Sequence, residues 1–102
     1  MTTNREVFDQ IAESWYRVRH WPLLGEELHA LAARWQAGKL LNIGCAHGAD
    51  FLSFSHGFEL WGVDFSRSML KHAMRYSAKV KLYVNLVAAD ALFLPFPDNT
   101  FD

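Results

Sequence analysis

Lys39–Asp50, KLLNIGCAHGAD, is the stretch from which the rest of the chain is read. Leu40, Leu41 and Ile43 form a short apolar run that stops at Gly44. Gly48 follows, and Asp50, Phe51, Leu52 and Phe54 then take up a spacing closer to helical than to alternating. The pattern predicts a buried strand, a tight glycine turn and a helix start. Glycine suits such a turn for two reasons. It enters backbone torsions closed to other residues, and it leaves room for a ligand to touch the main chain where a Cβ would collide. The stretch is therefore a place to hold a small molecule.

Downstream, Phe58–Val63 is a second apolar run that ends on Asp64. Ser66 can cap a helix through about Ala78, with Met69, Leu70, Ala73 and Met74 inward and Arg67, Lys71, Arg75 and Lys79 on the opposite side. Leu82–Ala89 reads as a third strand, interrupted by Asn85 and ending on another carboxylate, Asp90; Pro95 and Pro97 follow. Upstream, Thr3 and Glu6 have the form of a capping box. Val7, Phe8, Ile11, Ala12, Trp15 and Val18 then recur at helical spacing, with Arg5, Asp9, Glu13 and Arg17 on another face. Trp21-Pro22 breaks that helix, because the residue before proline is pushed out of helical torsions. A second helix is expected over Leu23–Gln36, with Leu24, Leu28, Leu31, Ala32 and Trp35 as its apolar face and Gly38 as its left-handed stop. Two helices followed by β-α-β-α-β predict an α/β fold with a parallel sheet and helical crossovers.

At 102 residues, 51% hydrophobic and 21% charged, the chain has a globular composition and the length of one small domain. Four Trp and eight Phe are a large apolar supply for that length, a first sign of surface that a longer protein would cover. A formal charge of −1 makes no global case for nucleic acid or an anionic membrane. One local case exists: Arg67, Lys71, Arg75, Lys79 and Lys81 lie between Asp64 and Asp90 with no acid among them. Lying opposite the Met69–Leu70 face, this stripe reads first as a solvated helix back. The lone Cys45 forms no intrachain disulfide, no Cys/His set has the spacing of a metal site, and no apolar run nears the roughly 18 residues of a spanning helix. With no signal-peptide core at the N-terminus, the expected location is cytoplasmic, without membrane insertion.

Open parallel sheets bind ligands outside the carboxyl ends of their strands, and here each strand end carries suitable groups. Gly44–Gly48 ends the first and Asp64 the second, where a carboxylate can accept from both hydroxyls of a ribose. Asp90 ends the third and could accept from the amino group of an adenine. These residue types suit an adenosine ligand.

KLLNIGCAHG resembles the glycine-rich first motif of class I S-adenosylmethionine-dependent methyltransferases. Gly62-Val63-Asp64-Phe65-Ser66, with Met69, Leu70 and Ala73, is similar to their second motif. Asp90-Ala91, Leu94-Pro95-Phe96 and Asp98–Asp102 (DNTFD) resemble the adenine-contacting loop and the approach to the fourth strand. The opening VFDQIAESWYRVRHWP also resembles the N-terminal helices of relatives that modify tRNA wobble uridines or quinone precursors. The resemblance implies a Rossmann-like doubly wound sheet of which this chain carries the N-terminal part, one S-adenosylmethionine-binding domain cut before the fourth strand. It implies that Gly44, Cys45, Ala46 and Gly48 line the methionine and ribose part of the cofactor, that Asp64 holds the ribose hydroxyls with Phe65 beside the adenine, and that Asp90 and Ala91 contact the adenine edge. Two residues depart from the family pattern: Asn42 stands where an acid is usual and Ala46 where a glycine is common.

Cys45 reads as packing or backbone lining rather than a nucleophile, since no partner base accompanies it. His47 is open between a ligand contact and a solvated turn residue. Trp15, Tyr16 and Trp21 read as hydrophobic anchors and Arg19 as a surface residue. No catalytic residue is identified. The function expected is S-adenosylmethionine-dependent methyl transfer, this chain supplying the cofactor half, with tRNA and small molecules both open as acceptor. The alternatives are a non-catalytic cofactor-binding fragment and a nicotinamide-dinucleotide-binding oxidoreductase domain. The second fits less well, because Ala46 and Ala49 occupy its second and third glycine positions.

Overall fold

A computed structural model describes residues 3–18 and 24–102; the expected Trp21-Pro22 break, the Trp21 anchor and Arg19 lie outside them. Two helices, α1 (Asn4–Val18) and α2 (Gly25–Trp35), precede three strands, β1 (Gly38–Ile43), β2 (Phe58–Asp64) and β3 (Val84–Ala88). Helix α3 (Arg67–Lys79) joins β2 to β3. The strands are parallel in the order β1-β2-β3, so β2 is central, with Leu40 beside Leu60 and Leu60 beside Val84. This is a partial Rossmann-like α/β fold, as expected. Among the described residues no helix is long and apolar enough to cross a membrane.

The crossover from β1 to β2 departs from expectation. Instead of a full helix after the glycine turn, Ala49–Phe54 forms one short 3-10 helix. Only residues 44–57 separate the strands, near the minimum for a parallel crossover, and Gly57 ends the segment at φ +84°. Phe51 and Phe54 are nonetheless buried, and with Cys45, Leu60 and Leu70 they form the core against which Leu28, Leu31 and Ala32 of α2 pack. The Trp35 and Phe54 rings stack with centroids 6.1 Å apart.

Helix α2 ends through Gln36 at φ +67°, whose N–H bonds the Ala32 carbonyl at 2.8 Å, whereas Gly38, the expected stop, opens β1. Gly38 serves a different contact: a Cβ there would stand 3.0 Å from Asp102 Oδ2. That carboxylate accepts the Lys39 N–H at 2.9 Å while the Asp102 N–H donates to the Lys39 carbonyl at 2.9 Å. The DNTFD segment thus reaches the edge of β1 that β2 leaves open. On α3, Met69, Leu70 and Ala73 are buried as expected, but Met74 is 63% exposed and Tyr76 takes the inward place. Strand β3 is shorter than Leu82–Ala89, because Val80 to Tyr83 are used in the turn from α3. Asn85 does not interrupt it: its Nδ2 donates to the Leu60 carbonyl at 3.1 Å.

Gly62 in β2 is where sheet and crossover meet most closely. A Cβ there would lie 2.9 Å from Cys45 Sγ and 3.1 Å from both Leu86 and the Phe51 ring, in a core with no slack. Gly62→Ala is expected to destabilise the fold by about 1–3 kcal/mol, the cost of overpacking, measured as a lowered urea midpoint at unchanged slope.

Candidate cofactor site

Gly44 leaves β1 with its N–H and that of Cys45 both donating to the Val63 carbonyl, at 2.7 and 3.0 Å. The chain turns there at φ +72°, and nothing lies within 4 Å of where a Cβ would stand. A substituent at Gly44 would therefore project into open space. Ala46, next but one, is also left-handed at φ +51°, a conformation costing an L-residue roughly 1–2 kcal/mol.

The contact that offsets this strain comes from Asp64, the last residue of β2. Its Oδ2 accepts the Ala46 N–H at 3.0 Å and its Oδ1 accepts the Ser66 N–H at 2.9 Å. Ser66 in turn caps α3, its Oγ accepting the Met69 N–H at 3.2 Å, as the sequence predicts. An ionised carboxylate offers roughly four acceptor positions, so about two remain for a ligand. Asp90, past the end of β3, is exposed; its Oδ1 accepts the Leu92 N–H at 2.9 Å in a local turn. The Asp64 carbonyl accepts the Ala89 N–H at 3.1 Å, which ties the two strand ends together.

These groups surround one cavity of about 500 Å³, within the range of small-molecule sites. Gly44, Ala46, Asp64, Phe65, Asp90 and Ala91 all line it. Cys45 and Gly48, also read as cofactor contacts, lie behind that lining. Cys45 is buried against Gly62, and Gly48 begins the 3-10 helix at φ +87° with its Cβ position 3.1 Å from Phe51. Asn42 lies on the other side of the turn, in a groove with Asp50 and Phe51. Helix α1 closes a further wall with Phe8 and Trp15, and Phe8 meets Phe65 edge to face at 5.6 Å. Aromatic anchors were legible in the sequence, but their position over the ligand space depends on how α1 docks.

Two readings change. His47 is neither solvated nor part of that cavity's lining. It is 2% exposed, and its ring meets Tyr16 and Tyr76 edge to face at 5.7 and 5.2 Å. Asp9, assigned by periodicity to the polar face of α1, turns toward α3 and accepts from Ser66 Oγ at 2.5 Å and Ser68 N–H at 3.4 Å. The Ser66 hydroxyl, followed by the Ser68 amide, holds its carboxyl below the ordinary value against partial desolvation.

A methyltransferase-domain family model matches residues 40–102. The chain is 31% identical over 110 aligned positions to the 2-phytyl-1,4-naphtoquinone methyltransferase of Trichormus variabilis, covering 96% of this chain and 48% of that protein. It is 52% identical over 48 residues to the demethylmenaquinone methyltransferase of Anoxybacillus flavithermus, covering 43% of this chain and 19% of that protein. A Methanococcus maripaludis structure, whose name assigns it to the S-adenosyl-L-methionine-dependent methyltransferases, superposes with a TM-score of 0.67. At 21% identity over 97% of this chain and 50% of that one, it speaks for the fold alone. The chain spans about half the length of the curated relatives that it matches along nearly all of its own length.

Burial, with the Asp64 carboxylate adding to it, pushes the Cys45 thiol up to about 12. Roughly one Cys45 in ten thousand is then thiolate at pH 8, against about a quarter of free cysteines. Disulfide-exchange reagents at pH 8 are expected to label native protein roughly a hundredfold or more slowly than urea-unfolded protein, with native labelling rising tenfold per pH unit.

Proposed function

Because the chain belongs to the methyltransferase-domain family, in the class I S-adenosylmethionine-dependent group, we propose that the cavity at the strand ends binds S-adenosylmethionine and that this chain supplies the cofactor half of a methyl-transfer site. The observation that carries this reading is the cradle at Gly44. There a left-handed glycine with empty space beyond its Cβ position opens onto a cavity lined by both strand-end carboxylates. The residues present suit the cofactor: Gly44 and Ala46 offer main chain to its methionine and ribose part, and Asp64 offers its remaining lone pairs to the ribose hydroxyls. Asp90 and Ala91 take the adenine edge, and no acceptor among the described residues takes the Ala91 N–H. Cys45 and Gly48 act from behind, by setting the shape of the turn.

When bound, S-adenosylmethionine supplies a methyl group on a cationic sulfur, already activated toward an acceptor. The chain's own contribution is orientation and exclusion of water. Phe8, Trp15 and Phe65 make an apolar wall, and the carboxylates fix the nucleoside.

For the acceptor, we read a small molecule of the quinone class. The support is the match along nearly the whole chain to a naphtoquinone methyltransferase, together with that apolar wall. The α3 stripe, which would favour tRNA, is exposed, and the Arg75 guanidinium lies 5.2 Å from the centre of the Tyr16 ring, an internal use for one of its cations.

Calorimetry tests the cofactor reading. S-adenosylhomocysteine is expected to bind this chain more tightly than NADH; the reverse order rejects the proposal. Asp90→Ala, which leaves the Asp64 contacts with Ala46 and Ser66 intact, is expected to weaken S-adenosylhomocysteine about tenfold, or roughly 1.4 kcal/mol, the scale of one hydrogen bond to a charged acceptor.

A further inference from the structure

We propose that Asp9 is a positioning residue for the cofactor site, holding α1 in place as the cavity wall through its bond to Ser66. This deepens the cofactor reading above and rests on it. A chain of hydrogen bonds runs from α1 to the glycine turn. Asp9 Oδ1 accepts from Ser66 Oγ, the Ser66 N–H donates to Asp64 Oδ1, and Asp64 Oδ2 accepts from the Ala46 N–H. Ser66 is fully buried and already caps α3, so it is a fixed point, and any residue bonded to it is placed relative to Asp64.

Apart from the Tyr16 ring, which meets His47, His72 and Tyr76, the apolar contacts of α1 are loose. Of its described side chains only Ala12 is buried, while Val7, Phe8 and Ile11 are each about two-fifths exposed. Hydrophobic contact of that kind has no direction, and by itself it does not fix the rotation of α1 at Phe8, about two turns from Tyr16. A charge-assisted bond to a fixed hydroxyl has both distance and direction. Asp9 adjoins Phe8, and Asp9, Ala12 and Tyr16 follow one another at helical spacing along the seam, with the Tyr16 ring stacked on His72 of α3 at 4.8 Å. Holding Asp9 therefore sets the rotation that carries Phe8 onto Phe65 and Trp15 into the cavity lining.

Wild type, Asp9→Ala and Asp9→Asn test this, together with Asp9→Ala in a Phe8→Ala background. Asparagine keeps an oxygen that accepts from Ser66 without the charge. In ligand-free protein, Asp9→Ala is expected to speed amide exchange across α1 at least tenfold while leaving β2 and α3 protected, with Asp9→Asn close to wild type. For S-adenosylhomocysteine, Asp9→Ala is expected to bind about tenfold more weakly, and Asp9→Asn within threefold of wild type. In a Phe8→Ala background, Asp9→Ala should then cost little more, since both changes remove the same wall. Unchanged exchange and affinity in Asp9→Ala overturn the proposal, and so does an Asp9→Asn loss as large as that of Asp9→Ala. A wild-type chain that does not bind S-adenosylhomocysteine overturns the cofactor reading instead, and the exchange comparison still accepts or rejects the hold on α1.

Discussion

Asp64 is a buried carboxylate at the end of the central strand, and the architecture around the cavity follows from satisfying it. Removing such a group from water costs several kcal/mol unless donors replace the lost hydration. Two main-chain N–H groups do so, one from the glycine turn and one from the start of α3. A single side chain thereby sets three segments in register: the end of β2, the loop after β1 and the helix that follows. It also accounts for the left-handed Ala46, because the torsion that presents this N–H to Asp64 is one an L-residue otherwise avoids. The same carboxylate also lines the cavity.

Around that centre the packing is uneven. One sheet face is covered by the short 3-10 segment with α2 and α3, closely enough that Gly62 admits no Cβ. The other carries Trp61, whose ring meets Phe96 and Phe101 from the chain's last segment at 5.7 and 6.1 Å. Much of the aromatic supply goes into these two layers. Trp35 and Ile43 remain about half exposed beside the free edge of β1, where Asp102 makes the one strand-like contact among the described residues. An edge of this kind presents unpaired N–H and carbonyl groups as a template for another strand.

Polar and apolar roles in α1 are divided in a way that periodicity alone misassigns. The hydrophobic count places Val7, Phe8, Ile11, Ala12 and Trp15 on one face and Asp9 on another; Ala12 is buried as read, but the seam with α3 also takes in Asp9 and Tyr16. Counting apolar residues finds the face with the most transfer free energy, and it cannot register a carboxylate directed at a capping serine. Met74 and Tyr76 were exchanged on α3 for a similar reason. Tyr76 sits in the pocket completed by His47 and Tyr16, partners that lie far away in sequence.

The sequence by itself determined the class of fold and which residues gather at the strand ends. Strand ends, the left-handed glycines at Gly44 and Gly48, the serine cap and the carboxylates at Asp64 and Asp90 are local features, set by backbone torsions and near-neighbour hydrogen bonds. Their spacing in a parallel α/β order places them at one end of the sheet whatever the details of packing. Tertiary structure decided what depends on distant partners. It shortened the first crossover to a 3-10 turn, directed Cys45 and His47 into the core and moved the stop of α2 from Gly38 to Gln36. It also turned Asp9 inward to Ser66. Each outcome is set by which atoms meet across elements far apart in the chain, and steric fit and hydrogen-bond direction at such contacts leave no periodic trace in a sequence.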